Sequence, residues 1–442
     1  MRISKKKWAY AVACAIIFGV FSIVSTGAEV AAQQDWRQIA DQGIEKYRKG
    51  DLVARIIGKD GAPAANVEVQ IEQIQHDFWF GTCLACRFFQ AHSEPAVTEK
   101  YLAIVKDLFN SAVPENAMKW YSTERERGRI TYGTMDNMLA WCESNGIRVR
   151  GHCIFWDVDK FVMPWLRELP PEELRREVER RAGEVPGRYR GRIGEYDLNN
   201  EMLHGNFFRR RLGEDIILDM FRWAAEADPA ARFYLNDYGI LPGGIGGSAT
   251  LSAYERQIAT LLGQGARVGG IGCQGHFGNT RPDPQWIRTA LDRLGVFGLP
   301  IKITEYDFES DDEQAKAEAL ETVYRVAFSH PAVDGILMWG FWEKSHWKPK
   351  AAIFDADFNP RPAAVIYRKL IKEEWRTSAS LMTGANGEAR SRVFYGSYKI
   401  SLKGKDGKIT SKTVNFPKGA AEPMLVEIRM DAKQEENVPA AR

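Results

Sequence analysis

Cysteine is scarce here, with six residues in a chain of 442. If Cys14 is lost with an N-terminal leader, five remain, so at least one is free or paired between chains. Cys83-Leu84-Ala85-Cys86 has no second pair at the spacing of a zinc site, which leaves a local disulfide or buried thiols. Cys153 and Cys273 fall inside expected strands, where a thiol acts as a small hydrophobe. A surplus of one charge is also missing. The formal net charge of +2 gives no reason to expect nucleic acid or an acidic membrane surface as partner. No glycine loop that would cradle phosphate follows the first strand of the main body. The run Gly243-Gly244-Ile245-Gly246-Gly247 comes after the fifth strand, where a nucleotide fingerprint is not expected. No metal and no cofactor are therefore expected.

Long apolar runs are absent from the body and present at the start. Arg2, Lys5, Lys6 and Lys7 precede an apolar stretch over 8–24, followed by Ser25-Thr26-Gly27-Ala28. This is the build of a secretory signal peptide cleaved after Ala28 or Ala32, and it implies a secreted or periplasmic protein. An uncleaved anchor is the competing reading, near the lower length limit for spanning a bilayer. With the signal removed, no membrane contact and a monomer are expected.

Residues 33–75 read as a polar helical lead-in and then a β-hairpin: a strand over 51–57, a turn at Asp60-Gly61, and a period-two alternation over 67–72. From about His76 strands and helices alternate. Strands are expected over 78–82, 111–114, 148–156, 194–199, 232–236, 269–274, 300–304 and 334–341. Helices with 3.6-residue apolar spacing are expected over 132–144, 171–182, 214–227, 254–262 and 313–329. Eight alternations over about 300 residues predict an α/β fold, a (β/α)8 TIM barrel spanning 76–376 with small β-rich N-terminal and C-terminal appendages. Beyond it, 377–430 reads as a small β module with turns at Asn386-Gly387 and Asp406-Gly407, and 431–442 as a disordered tail.

Two stretches carry matching chemistry. Gly194-Glu195-Tyr196-Asp197-Leu198-Asn199-Asn200-Glu201 and Ile301-Lys302-Ile303-Thr304-Glu305-Tyr306-Asp307 each run as a strand into a glutamate. Barrel units of roughly 30 residues put the ends of strands four and seven about 90 residues apart. Glu201 and Glu305 are 104 apart. Both fall at the C-terminal rim, where this fold places its active sites. Two carboxylates facing one cleft suit glycoside hydrolysis, one protonating the leaving oxygen and one attacking or activating water.

Six motifs at successive strand ends then come into register: Glu115-Asn116-Ala117-Met118-Lys119-Trp120, Gly151-His152-Cys153-Ile154-Phe155-Trp156, Tyr196 to Glu201, Gly272-Cys273-Gln274-Gly275-His276, Ile303 to Asp307, and Met338-Trp339-Gly340. Together they resemble glycoside hydrolase family 10, the β-1,4-xylanase family. The resemblance implies a retaining, endo-acting hydrolase of xylan with Glu201 as acid/base and Glu305 as nucleophile. It implies that Asn200 binds the sugar 2-hydroxyl, that Gln274 and His276 orient the nucleophile, and that Glu115, Asn116 and Lys119 bind sugars on the non-reducing side. His152 and Trp156 join the substrate-binding set, Trp339 and Trp347 wall the cleavage subsite, and Tyr238 contacts the leaving-group side. The implied partner is a plant-type polysaccharide, xylan or a related β-glycan.

Three positions depart from the family pattern: Asp157 where a histidine usually follows the tryptophan, Tyr196 for tryptophan, and Tyr306 for leucine. An ionised aspartate only accepts hydrogen bonds, so Asp157 is expected to alter recognition at the cleavage subsite. This motivates another β-glycan or a decorated xylan as the alternative substrate. A non-catalytic carbohydrate-binding barrel is the alternative of a different class.

Overall fold

The computed structural model describes residues 36–243, 246–403 and 409–430. The expected signal peptide over 1–32, the tail over 431–442, the Asp406-Gly407 turn and Gly244-Ile245 of the glycine run lie outside these residues.

A helix over 36–48 leads into two strands, β1 (Lys49–Ile57) and β2 (Glu68–His76). The barrel strands follow: β3 (Trp79–Leu84), β4 (Ser111–Pro114), β5 (Arg148–Val149), β6 (Phe155–Trp156), β7 (Glu195–Asn200), β8 (Arg232–Asp237), β9 (Val268–Cys273), β10 (Ile301–Tyr306) and β11 (Val333–Met338). All are parallel, in the order β5-β4-β3-β11-β10-β9-β8-β7-β6. The strand expected over 148–156 is thus two short pieces at opposite ends of that order. Its start pairs with β4 and its end with β7, while Gly151 bridges to Tyr196. Neither neighbour supports a full-length ladder, so the strand breaks, and these two pieces of one segment close the sheet into a (β/α)8 barrel. β7 and β10 are buried along their whole length, as strands covered on both faces should be. Helices such as Gly133–Ser144, Pro171–Arg188, Ile216–Ala227 and Glu313–Ser329 cover the outside.

The remaining strands are β12 (Ser378–Met382), β13 (Glu388–Phe394), β14 (Gly396–Lys403), β15 (Ile409–Phe416) and β16 (Met424–Arg429). The hairpin expected from β1 and β2 does not form. β1 lies between β13 and β16 in one sheet, and β2 lies between β12 and β14 in another. The Asp60-Gly61 turn therefore makes an arch between two sheets. The cause is apolar pairing at long range. Leu52, Ala54 and Ile56 of β1 and Val69 and Ile71 of β2 pack with Val393, Tyr398, Ile400, Leu402 and Val426 into one core. A bare two-stranded hairpin could not bury these faces. The two chain ends make a single β module, so the appendages expected separately share one core.

This module rests on the N-terminal end of the barrel. The Arg48 guanidinium donates to the carbonyl oxygens of Phe328 (2.5 Å), His330 (2.5 Å) and Val333 (2.7 Å) at the entry to β11.

Candidate active site

At the opposite rim polar side chains stand at or just beyond the strand ends: Glu115 after β4, Asn200 and Glu201 at β7, Asn236 at β8, Gln274 after β9 and Glu305 at β10. Glu201 follows β7, and its backbone takes a positive φ of 62°. Its amide donates to the Asn236 carbonyl, and its own carbonyl accepts the amides of His204 and Gly205. The carboxylate lies between two donors: Trp156 Nε1–H at 2.8 Å to Oε2 and Gln274 Nε2–H at 3.1 Å to Oε1, so Gln274 holds Glu201 and not, as expected, Glu305. Burial, and after it the charge of Glu305, raise the pKa of Glu201, and these two donors offset part of that rise.

Glu305 is held differently. Asn236 Nδ2 donates to its Oε1 at 2.8 Å, and His276 Nε2 lies 3.1 Å from its Oε2. The other imidazole nitrogen lies 2.7 Å from Asp307 Oδ2, which also accepts from Trp347 Nε1 at 2.9 Å. Glu305 and Asp307 are two residues apart in sequence, so both face His276 on one side of the chain. Burial works against a charged imidazole, but the hydrogen bonds to the two carboxylates win and push His276 up to about 9. Burial works to raise Glu305, but the imidazolium of His276, with Lys119 adding to it, holds its carboxyl below the usual carboxylate range. Two carboxyl groups on one rim are thus driven in opposite directions.

Asn236 also fixes its neighbour. Its Oδ1 accepts from Thr304 Oγ1 at 2.6 Å, which sets the amide so that Nδ2 reaches both Glu305 and, at 2.8 Å, Asn200 Oδ1. The oxygen of Asn200 is thereby occupied, and its NH2 is left free to donate. His152 lies 2.9 Å from Asp197 Oδ2, and Asp197 is paired with the fully buried Arg150 at 2.5 Å. Beyond the end of β4, Lys119 Nζ lies 4.6 Å from the Trp156 ring and 6.0 Å from the Trp339 ring, and it donates to Asn116 Oδ1 at 3.2 Å. Glu115 has its pKa raised by burial, partly opposed by Lys119. Trp339 stands 5.0 Å from His152 and 6.4 Å from His276, with Trp347 4.9 Å from His276. Tyr238 sits at the edge, 37% exposed and stacked on His204 at 3.7 Å.

The structure therefore gathers Glu115, Asn116, Lys119, His152, Trp156, Asn200, Glu201, Tyr238, Gln274, His276, Glu305, Trp339 and Trp347 around one opening. Sequence reasoning gave no role to Asn236 or Asp307. Strand periodicity was the available signal for Asp307, and for Asn236 there was only its place at the end of β8. Trp342 is buried against Phe358 and serves packing. Cys83 and Cys86 are separate thiols with no disulfide between them.

Asp157 corrects an expectation. Its side chain is fully buried and turned away from the cleft, with Oδ1 accepting the Phe208 amide at 2.7 Å and Oδ2 facing Arg209 Nε at 3.4 Å. Burial pushes it up to about 6 against these two partners. With both oxygens turned to Phe208 and Arg209 and neither exposed, it has no accessible acceptor to offer a sugar, and it carries no argument for an unusual glycan.

The barrel, with two oppositely poised carboxyl groups on its C-terminal rim, defines a class: the glycoside-hydrolase barrels. The particular family follows from comparison. The description "Glycosyl hydrolase family 10" matches residues 71–370, and the chain belongs to this family. Anti-sigma-I factor RsgI6 of Acetivibrio thermocellus is 38% identical over 402 residues, 90% of this chain and 50% of that protein. Endo-1,4-beta-xylanase 1 of Arabidopsis thaliana is 36% identical over 358 residues, 81% of this chain and 37% of that protein. The crystal structure of xylanase 10B from Thermotoga maritima superposes with a TM-score of 0.61 at 28% identity, covering 67% of this chain and 96% of that one. The chain spans half or less of the length of these two curated relatives.

Proposed function

We propose that this chain hydrolyses internal β-1,4-xylosidic bonds of xylan by double displacement, with Glu305 as nucleophile and Glu201 as acid/base. The observation that carries the proposal is the opposed ionisation of the two carboxyl groups. Glu305, held charged by His276 and Asn236, is ready to attack the anomeric carbon. Glu201, whose pKa is raised by burial and by the charge of Glu305, gives its proton to the departing glycosidic oxygen. The bond to the leaving sugar breaks as the ester to Glu305 forms. Once Glu305 is esterified its negative charge is gone, so Glu201 becomes more acidic and then accepts a proton from the water that cleaves the ester.

The other residues bind and orient. The free NH2 of Asn200 donates to the sugar 2-hydroxyl, a contact that strengthens in the transition state. Trp339 and Trp347 offer flat faces to the apolar sides of the sugar rings. Glu115, Asn116 and Lys119 read hydroxyls on the non-reducing side, and Tyr238 meets the leaving-group sugar. No step requires a metal or cofactor. The export signal expected over 1–32 belongs to the same proposal, because a polysaccharide substrate lies outside the cell. So does action as a monomer free of the membrane. Among the described residues no helix is long and apolar enough to cross a bilayer.

The test is release of reducing sugar from unsubstituted β-1,4-xylan by the wild type, Glu305→Ala and Glu201→Ala. Loss of hydrolysis in both variants with xylan binding retained supports the assignment. Hydrolysis surviving Glu305→Ala, or a wild type that binds xylan without cleaving it, overturns it and favours a carbohydrate-binding barrel.

A further inference from the structure

The turn that carries Glu201 leaves β7 with a positive φ and is not held by the barrel ladder alone. Arg209 Nη2 donates to the Met202 carbonyl at 2.6 Å and also to the Gly205 carbonyl, so one guanidinium closes the loop 201–205 from below. The same guanidinium faces Asp157 Oδ2. Asp157 in turn takes the Phe208 amide on its side chain and the Phe207 amide, at 3.0 Å, on its carbonyl. Gly205 is packed so tightly on this segment that a Cβ there would lie 2.4 Å from the Asp157 carbonyl carbon. The residue before Asp157 is Trp156, whose indole donates to Glu201. These contacts form a ring: Glu201, its own loop, Arg209, Asp157, Trp156, and back to Glu201.

We infer that Asp157 and Arg209 are positioning residues that hold the Glu201 carboxyl at its proton-transfer distance through the loop 201–208 and the Trp156 indole. Neither touches substrate. Asp157 lies in the strand end that supplies the indole, and Arg209 in the short helix that ends the loop, so their pairing ties together the two supports of one carboxyl group. This rests on the acid/base reading of Glu201. It deepens that reading by naming what keeps the group in place and by giving Asp157 a role other than sugar recognition.

A shift of about 1 Å in a proton donor costs roughly 100-fold in the step it assists. Bond cleavage to a sugar leaving group needs that proton, whereas a dinitrophenolate leaves without it. The experiment compares kcat/KM on xylan and on dinitrophenyl β-xylobioside for the wild type, Asp157→Asn, Arg209→Gln and Glu201→Ala. Asp157→Asn keeps an oxygen for the Phe208 amide but drops the charge facing Arg209, and Arg209→Gln opens the ring from the other side. The expected result is a loss on xylan of about 10- to 100-fold in each brace variant, with the aryl substrate within about twofold of wild type. Equal losses on both substrates, or xylan activity unchanged, overturn the inference. Should Asp157→Asn not fold, Arg209→Gln decides alone. Glu201→Ala separates the two levels. If it lacks the split between substrates, the acid/base reading fails and the inference with it. If it shows the split while the brace variants do not, only the inference fails.

Discussion

The two ends of the barrel treat buried charge in opposite ways. At the N-terminal end a cavity of about 1080 Å³ is lined by Arg48, Arg148, Glu195, Arg232, Asp334 and Lys418, among others. It is roomy and rich in ionisable groups, yet those charges are spent on the fold. Arg48 and Arg148 donate to backbone carbonyls rather than carboxylates. Burial without an adequate counter-charge drives them down, Arg48 to about 9 and Arg148 to about 10, and His76 falls to about 3. At the C-terminal rim His276 is also largely buried but rises to about 9, because two carboxylates face it. Arg48, Arg148 and His76 at the bottom are pushed towards neutrality by isolation, whereas His276 at the rim is held charged by two carboxylates beside an open cleft. Only the second arrangement offers a substrate a poised proton or lone pair. Cavity size and perturbation alone do not locate chemistry in this molecule.

The sharpest break of this contrast is Glu305→Ala, expected to lower xylan hydrolysis by roughly 10⁵- to 10⁶-fold, with the melting temperature little changed. A folded variant that keeps measurable turnover would remove the rim's claim to the chemistry. Next comes Arg150, which pairs with Glu195 towards the bottom and with Asp197 towards the rim. Arg150→Met leaves two buried carboxylates without their guanidinium and should cost about 3–5 kcal/mol in urea unfolding. An unchanged midpoint would show that the two ends are not joined through it.

His276 tests the rim by pH. Its folded pKa is raised, so its contribution to stability is fully present below the unfolded value near 6.5 and is lost as pH rises through about 9. That contribution is on the order of 3 kcal/mol, so unfolding free energy should decline between about pH 7 and 10. The decline should be absent in His276→Gln. A parallel slope in both proteins would place the titrating group elsewhere. Trp347 is 51% exposed, and Trp347→Ala should lower kcat/KM on xylan by about threefold to tenfold, mainly through KM. The smallest effect belongs to the bottom. Lys418→Ala should leave kcat/KM within twofold and stability within about 1 kcal/mol, and a tenfold loss of activity there would erase the distinction between the ends.

Much of this was legible in the order of residues. Parallel barrel strands are short apolar runs covered on both faces, and helices of 3.6-residue spacing lie between them, so the alternation is written locally. The rim residues sit where strands stop, which is why Glu201 and Glu305 stand out as strand-end carboxylates. Other features were hidden because they depend on contacts distant in sequence. β1 and β2 read as a hairpin from the Asp60-Gly61 turn, but their partners lie more than 300 residues away. The segment 148–156 has strand composition throughout, and its break arises from changing neighbours midway. Asp157 reads as a substrate contact by its place in a motif, and only the position of Phe208 and Arg209 turns it inwards.

By itself, then, the sequence determined the alternating barrel, the two glutamates on its rim and the motif set that marks the family, because strand and helix periodicity and strand-end polarity are properties of neighbouring residues. The tertiary structure alone decided which carboxyl has its pKa raised and which lowered, how two chain ends merge into one β module, and that Asp157 turns inwards to Phe208 and Arg209. Burial, counter-charge and pairing between distant segments exist only once the chain has folded.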